Sequence, residues 1–274
     1  MIPLEDNFSD VIGKAQRGLR LSDTQLAEKA RVSSQKIRAL REGTFDELAL
    51  VRVAPVLGLA ARQLCDLAQG QWQPKRSGTI DGFEVFTTNY SDMTVNAYLV
   101  WDPQSKDAVA FDTGADCHGI LETAKKQNLD LKLILLTHSH PDHVADLARL
   151  RKETSASVFT PEDEPVSGAE GFEEGKHWQV GDLHIDTRKT WGHSQGGMTY
   201  VVNGLSRKLA IVGDAIFAGS MGGGNVSYRD ALQTNLDKIL TLPEETIICP
   251  GHGPMTTVGE EKKHNPFFAG RIDE

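Results

Sequence analysis

The sequence predicts an α/β (α+β) protein in which sheets are covered by helices and a small all-α domain comes first. Three observations carry that expectation. Up to residue 70 the apolar residues recur at helical spacing between capping residues. Beyond residue 81 short β-type and helical segments alternate twice over, the pattern of sheets roofed by helices. Within the second stretch, the apolar run Leu133 to Leu136 breaks into His138, His140, Asp142 and His143, as where a buried strand ends in a functional loop. A chain of 274 residues can bury a sizeable core, as one large domain or two unequal ones. The expected organisation is a helical domain at 1–70, a linker at 71–80 and a second domain at 81–274.

In the first part, FSDVIGKAQRGLRL places Phe8, Val11, Ile12, Ala15 and Leu19 at helical spacing. Ser22 or Asp23 caps a second helix, TQLAEKA, and Ser33 or Ser34 a third, QKIRALRE, closed by Gly43. Asp46 begins a fourth, ELALVRVAPVLGL, in which Pro55 is expected to kink or restart the helix. ARQLCDLA forms a short fifth, and GQWQPKRSG reads as a linker.

From Phe83 onward FEVFTT, VNAYLVWD and DAVAFDTGA are β-type segments. The helix GILETAKKQNL leads into the strand at Leu133, and HVADLARLRK is expected as one helix with Val144, Leu147, Ala148 and Leu150 on its apolar face. A strand SASVFT, a loop PEDEPVSGAEGFEEG, and strands HWQV and LHIDTRKT lead to WGHSQGG. MTYVVNG and KLAIVGDAIF follow as strands, then the glycine-rich GSMGGG, helix YRDALQTNLDKIL, strand ETIICP and the turn GHGP.

Composition narrows the setting. The start MIPLEDNFSD lacks the basic-then-apolar profile of a signal peptide, and no apolar run approaches the roughly 20 residues needed to span a bilayer. Cys65, Cys117 and Cys249 are few, widely spaced and without a CxxC pair, which argues against a disulfide framework or a thiolate metal site. A cytoplasmic location with no membrane contact is expected. The net charge of −9 is uneven: ten basic residues face nine acidic ones up to Gly70, and nineteen face twenty-nine beyond it. An acidic body repels nucleic acid, so DNA contact would have to come through the N-terminal part.

The polar cluster has the form HxHxDH. Imidazole and carboxylate are the usual ligands of zinc, iron and related ions, and four such groups within six positions suit half of a metal site. Three further candidates sit at strand ends: His193 in WGHSQGG, Asp214 after LAIVG, and His252 in GHGP. His118, His177, His184 and His264 stand alone and are read as ordinary surface or structural histidines.

This series resembles the metallo-β-lactamase superfamily over residues 83–267. The resemblance implies an αββα sandwich of two mixed sheets with a dinuclear centre at one edge. It implies that His138, His140 and His193 bind one ion, that Asp142, His143 and His252 bind the other, and that Asp214 bridges both. It also implies that Asp112 in FDTGA supports the site from behind, as such partners fix a ligand's orientation and basicity. Two divalent ions are expected, zinc by default, with iron and manganese compatible with the same ligands. Asp142 and Asp214 would be the catalytic carboxylates around a bridging hydroxide that attacks a carbonyl. An open catalytic site fits better than a closed structural one, which generally uses cysteine-rich sets.

GDAIFAGSMGG and PGHGPMTTVGEEKKHNPFF resemble the glyoxalase II group, whose members hydrolyse acylglutathione thioesters. That implies a small-molecule thioester or ester substrate and a hydrolase acting with thiolate as the leaving group. Long glyoxalase II enzymes have a basic residue soon after the GDxLF motif, where this chain has Met221, Gly222, Gly223, Gly224 and Asn225; Tyr228 and Arg229 are the substrate-binding candidates instead. Those glycines either shape a loop or cradle substrate. A mononuclear-iron persulfide dioxygenase, a lactonase, and a DNA-binding regulator with a sensor domain of this fold remain open as alternatives.

The stretch LSDTQLAEKARVSSQKIRALREG resembles the helix-turn-helix of Cro/C1-type repressors, with Arg31 where that family usually has glycine. Gln25 to Ala30 would be the first helix and Ser33 to Arg41 the recognition helix, with Ser34, Gln35, Lys36 and Arg38 available to DNA. The alternative is a helical module that mediates homodimer formation or roofs the active site.

Overall fold

The computed structural model describes residues 2–271. The expected domains reach residues 1 and 274; residue 1 and residues 272–274 lie outside the described residues. Five helices come first: α1 (Phe8–Gly18), α2 (Asp23–Ala30), α3 (Ser34–Arg41), α4 (Glu47–Val56) and α5 (Ala61–Ala68). Their starts follow from side-chain capping. Asn7 and Ser22 close reciprocal capping boxes on α1 and α2, and Ser33 and Asp46 cap α3 and α4. Arg31 ends α2 in the left-handed conformation, with φ 54°. Pro55 neither kinks nor restarts α4 as expected. It sits in the last turn, and the helix stops one residue later.

The strands β1 (Phe83–Tyr90), β2 (Met93–Trp101), β3 (Asp107–Phe111), β4 (Asp130–Leu135), β5 (Ser157–Pro161) and β6 (Glu170–Phe172) form one sheet in that order. Its first three strands are antiparallel neighbours and the rest run parallel. The second sheet contains β7 (His177–Val180), β8 (Leu183–Lys189), β9 (Met198–Asn203), β10 (Leu209–Gly213), β13 (Ile247–Pro250) and β14 (Thr256–Thr257). Its order is β14-β13-β10-β9-β8-β7, and β10 and β13 are parallel. A two-stranded ribbon joins β11 (Ile216–Phe217) to β12 (Ser220–Met221). Between the strands lie α6 (His118–Gln127), α7 (Pro141–Val144), α8 (Leu147–Thr154), α9 (Tyr228–Thr234) with a π turn at Asn235–Ile239, and α10 (Val258–His264).

Side-chain alternation builds the layers. In β3, Val109 and Phe111 point between the sheets, while Ala108 and Ala110 point outward beneath α6 and α8. In β10, Leu209 and Ile211 face the first sheet, and Ala210 and Val212 face outward. That outward face is continuous with the buried residues of α1 to α5, among them Val11, Ile12, Leu50 and Val53. The result is the expected αββα sandwich, with the N-terminal helices in one outer layer. The segment Gly70 to Gly78 has no regular structure, but Trp72 stacks on His264 and Lys75 N donates to Glu260 at 2.8 Å.

Three local expectations are corrected. HVADLARLRK is two helices, not one. Asp146 interrupts them, its carboxylate accepting from Cys117 N at 3.0 Å and its own N–H reaching Thr113 Oγ1. The segment expected as a loop after Pro161 contains β6, paired with β5. KLAIVGDAIF is broken at Asp214, where β10 ends and the β11–β12 ribbon starts.

Candidate metal centre

Four strand ends deliver the site. His138 follows β4, His193 follows β8, Asp214 follows β10 and His252 follows β13. His140 caps α7, whose first turn carries Asp142 and His143. His138, Asp142, His143, Asp214 and His252 are buried; His140 and His193 are half-buried.

The side chains gather into two groups, His138, His140, His193 and Asp214 in one, Asp142, His143 and His252 in the other. Asp214 touches both. Its Oδ2 lies 3.2 Å from His193 Nε2 and 3.3 Å from His252 Nε2, and its Oδ1 lies 3.3 Å from His143 Nε2. Asp142 Oδ2 lies 3.3 Å from His252 Nε2 and 3.4 Å from His143 Nε2.

Hydrogen bonds at the back of each ring decide which nitrogen faces inward. His143 Nδ1 donates to Asp112 Oδ2 at 2.8 Å, His193 Nδ1 to Gly223 O at 3.0 Å, and His252 Nδ1 to Thr94 O at 2.6 Å. The Thr137 hydroxyl has one proton and gives it to Asp112 Oδ2 at 2.8 Å. It therefore accepts from His138 Nδ1, 3.0 Å away. In each of these four rings it is Nε2 that is turned into the site. His140 presents Nδ1 instead, 3.0 Å from His138 Nε2 and 3.1 Å from His193 Nε2.

The ring protons of His138 and His193 are committed to Thr137 and Gly223 O, so their Nε2 lone pairs converge with His140 Nδ1 on one point, where a cation would be held by all three. Bonds of about 2.0–2.1 Å to a tetrahedral ion would separate its ligand atoms by about 3.3 Å, so the spacing suits one. His143 Nε2 and Asp214 Oδ1 are buried without a hydrogen-bond partner, the condition a coordinating ion relieves. The residues present therefore fit a pair of cations.

The electrostatics point the same way. Burial pulls His138 and His140 down, and neighbouring histidines pull in the same direction, so both are neutral lone-pair donors. Burial is the largest influence on His143 and His252 and opposes their charged forms, but the neighbouring carboxylates and hydrogen bonds together outweigh it. Asp214 and Asp112 lift His143 to about 10, and Asp214 and Asp142 lift His252 to about 11. Burial would raise Asp214, yet His143 and His252 hold it well below the carboxylate range. The carboxylates thus draw positive charge into a space lined by imidazole nitrogens.

Backbone shape matters at Gly251. A β-carbon there would overlap Asp214 Oδ1 and sit 2.6 Å from His143 Cε1, so only glycine lets β13 end against the cluster. Glu164 has no role in the sequence reading, where it falls in the expected loop. In the structure it is buried and accepts from Ser139 N at 3.1 Å and Gly196 N at 2.9 Å, and its carboxylate also takes the Ser139 hydroxyl. It ties the His138–His140 turn to the loop carrying His193. Burial raises its pKa, but these donors outweigh it and hold the group ionised. As one of three acidic residues in PEDEP, it shows no periodicity or spacing that could have revealed this.

Of the other expected site residues, Asp112 lies directly behind His143 and Thr137, with its backbone left-handed at φ 56°. Tyr228 is buried against α1, and Arg229 is exposed. Gln35, Lys36 and Arg38 are exposed on α3, far along the chain from the cluster, and Ser34 is half-buried. Lys36 Nζ pairs with Asp46 at 2.7 Å.

Residues 90–252 match the family model of the Metallo-beta-lactamase superfamily. The chain is 34% identical over 203 residues to the probable metallo-hydrolase YqgX of Bacillus subtilis, covering 64% of this chain and 92% of that protein. It is 26% identical over 198 residues to hydroxyacylglutathione hydrolase GloC of Haemophilus influenzae, covering 63% of this chain and 92% of that one. The solved di-iron-bound form of TTHA1623 superposes with a TM-score of 0.55 at 28% identity, over 67% of this chain and 100% of that one. Helices α1 to α5 precede the matched family region.

Proposed function

Since the chain belongs to the metallo-β-lactamase superfamily of metallo-hydrolases, we propose that it is a dinuclear metal-dependent thioesterase. The observation that carries the dinuclear reading is the position of Asp214, in contact with histidines of both groups. In this reading His138, His140 and His193 hold one divalent cation, Asp142, His143 and His252 hold the other, and Asp214 is shared. Zinc is the default, and iron is supported by the di-iron form of a relative with the same fold.

Two divalent cations at such a site supply hydroxide near neutrality and polarise a carbonyl oxygen. The chain's own residues do the rest. Asp112, Thr137, Thr94 O and Gly223 O fix the imidazoles so that their lone pairs converge without reorganisation. Asp214 and Asp142 stay ionised, can accept a hydrogen bond from the attacking water and would balance the cations' charge. Thiolate leaves readily, so a thioester needs no strong acid in the site. The resemblance to GloC adds weight to an acyl thioester as substrate.

The test is metal analysis of the purified full chain with a hydrolysis screen of thioesters, lactones and phosphoesters. Two ions per chain and preferential thioester turnover are expected. A lactone preference would replace the substrate class, and one iron with persulfide-dependent oxygen uptake would replace the reaction.

A second reading concerns α2 and α3. Ile37 and Leu40 are buried while Gln35, Lys36 and Arg38 face solvent, the arrangement of a helix-turn-helix recognition helix. A salt-dependent gel shift of the full chain on duplex DNA tests it. No shift at low salt would leave these helices as a roof of the sheet.

A further inference from the structure

Helix α1 and the glycine-rich loop enclose a cavity of about 460 Å³ whose charged lining is entirely basic: Lys14, Arg17, Arg20 and Arg229. Lys14 is already engaged, pairing with Asp6 and donating to Met221 O at 2.9 Å. The three arginines are different. Among the described residues, none of them has a carboxylate within ion-pair distance, although the whole chain carries a net charge of −9. Three unpaired guanidinium groups around one concave space repel each other and favour an anion between them.

The backbone adds a second observation. Arg20 is held in the left-handed conformation, with φ 54°, directly after α1. A residue with a β-carbon is strained there, and glycine would not be. The side chain carried at this strained position is one of those that line the cavity. The third observation is placement. Gly223 lines the cavity and its carbonyl accepts from His193 Nδ1 at 3.0 Å, while Val226 N and Ser227 N both donate to Gly192 O at 3.0 Å. The wall of the cavity is therefore the back of the loop that orients His193.

We propose that this cavity is an anion-binding subsite for the far end of the substrate, a terminal carboxylate or phosphate, and that α1 and the turn after it supply half of it through Arg17 and Arg20. The proposal rests on the hydrolase reading for the identity of the bound molecule as substrate. It makes the N-terminal helices part of the enzyme's specificity: they close the anion pocket from one side, Arg229 from the other.

The test uses the metal-loaded full chain and three non-hydrolysable thioether probes of equal length, ending in a carboxylate, a phosphate or a neutral amide. Calorimetry should show one of the anionic probes binding at least about tenfold tighter than the amide at low salt, a preference that the higher-affinity anion assigns to carboxylate or phosphate. The double variant R17E/R20E, changed at two exposed positions and checked by circular dichroism, should abolish that preference. Equal affinity of the three probes for the wild-type protein, or a preference that survives in R17E/R20E, overturns the proposal. Turnover of a matching thioester pair is read separately. No turnover with the anion preference intact would sink the hydrolase reading alone, and turnover indifferent to terminal charge would sink the subsite alone.

Discussion

Asp112 Oδ2 accepts the Nδ1 proton of His143 at 2.8 Å, and the same carboxylate holds the N–H and hydroxyl of Thr137, the residue before His138. One buried acid thus aims a histidine of each group. Asp112→Asn keeps a residue that tolerates the left-handed backbone but loses the charge. We expect the fold to persist and metal affinity to fall about 10–100-fold, measured by chelator competition. Unchanged affinity would show that Asp112 does not govern the ligands.

Asp214→Ala removes the only carboxylate in contact with histidines of both groups among the described residues. Loss of a supporting residue costs about 10–100-fold, so loss of a shared ligand should cost more, with hydrolysis falling below detection and metal content dropping. Activity and metal analysis on the same preparation decide it, and retained turnover removes Asp214 from its shared position.

Glu261 gives a pH dependence outside the metal centre. Burial pushes its carboxyl up from 4.5 to about 7, against bonds from Thr256, Asn265 and Gly219 N that favour ionisation. The folded chain therefore keeps a proton that the unfolded chain releases between those values. Stability from this group is full below about pH 4.5, declines as pH rises, and is lost above about pH 7, a total of about 3 kcal/mol. Denaturant titrations from pH 4.5 to 7.5 should show a shallower decline in Glu261→Gln than in the wild type. Parallel curves would rule out the group as the source.

Gly18 packs α1 onto α9. A β-carbon there would fall within the ring of Tyr228, itself buried. In an open helix Gly→Ala stabilises by about 1 kcal/mol, but here Gly18→Ala should destabilise by about 1–3 kcal/mol. Adding Tyr228→Leu should recover part of the loss, and the double-mutant cycle reads the coupling from denaturant midpoints. A stabilising Gly18→Ala would mean that α1 docks more loosely than described.

Much of this protein was legible in the chain because the signals are local. Capping at Ser22, Ser33 and Asp46, and the helical spacing of Phe8, Val11, Ile12 and Ala15, depend on residues a few positions apart. The misread segments each involve a distant partner. HVADLARLRK reads as one helix until Asp146 is seen to hold Cys117 N, and the segment after Pro161 reads as a loop until β6 pairs with β5.

By itself, then, the sequence determined the ingredients of the centre: seven imidazole and carboxylate side chains, each at the end of an apolar segment, in an order that marks the fold. Only the tertiary structure decided how they are used. Which nitrogen of each ring faces inward is set by Asp112, Thr137, Thr94 O and Gly223 O, acceptors brought close only when the sheets pack. That Glu164 ties two ligand loops, and that α1 and the turn after it bring Arg17 and Arg20 to the loop behind His193, follow from contacts between segments remote in sequence. Such contacts leave no spacing in the chain, because hydrophobic packing aligns whole layers and specifies side-chain neighbours only once the layers have met.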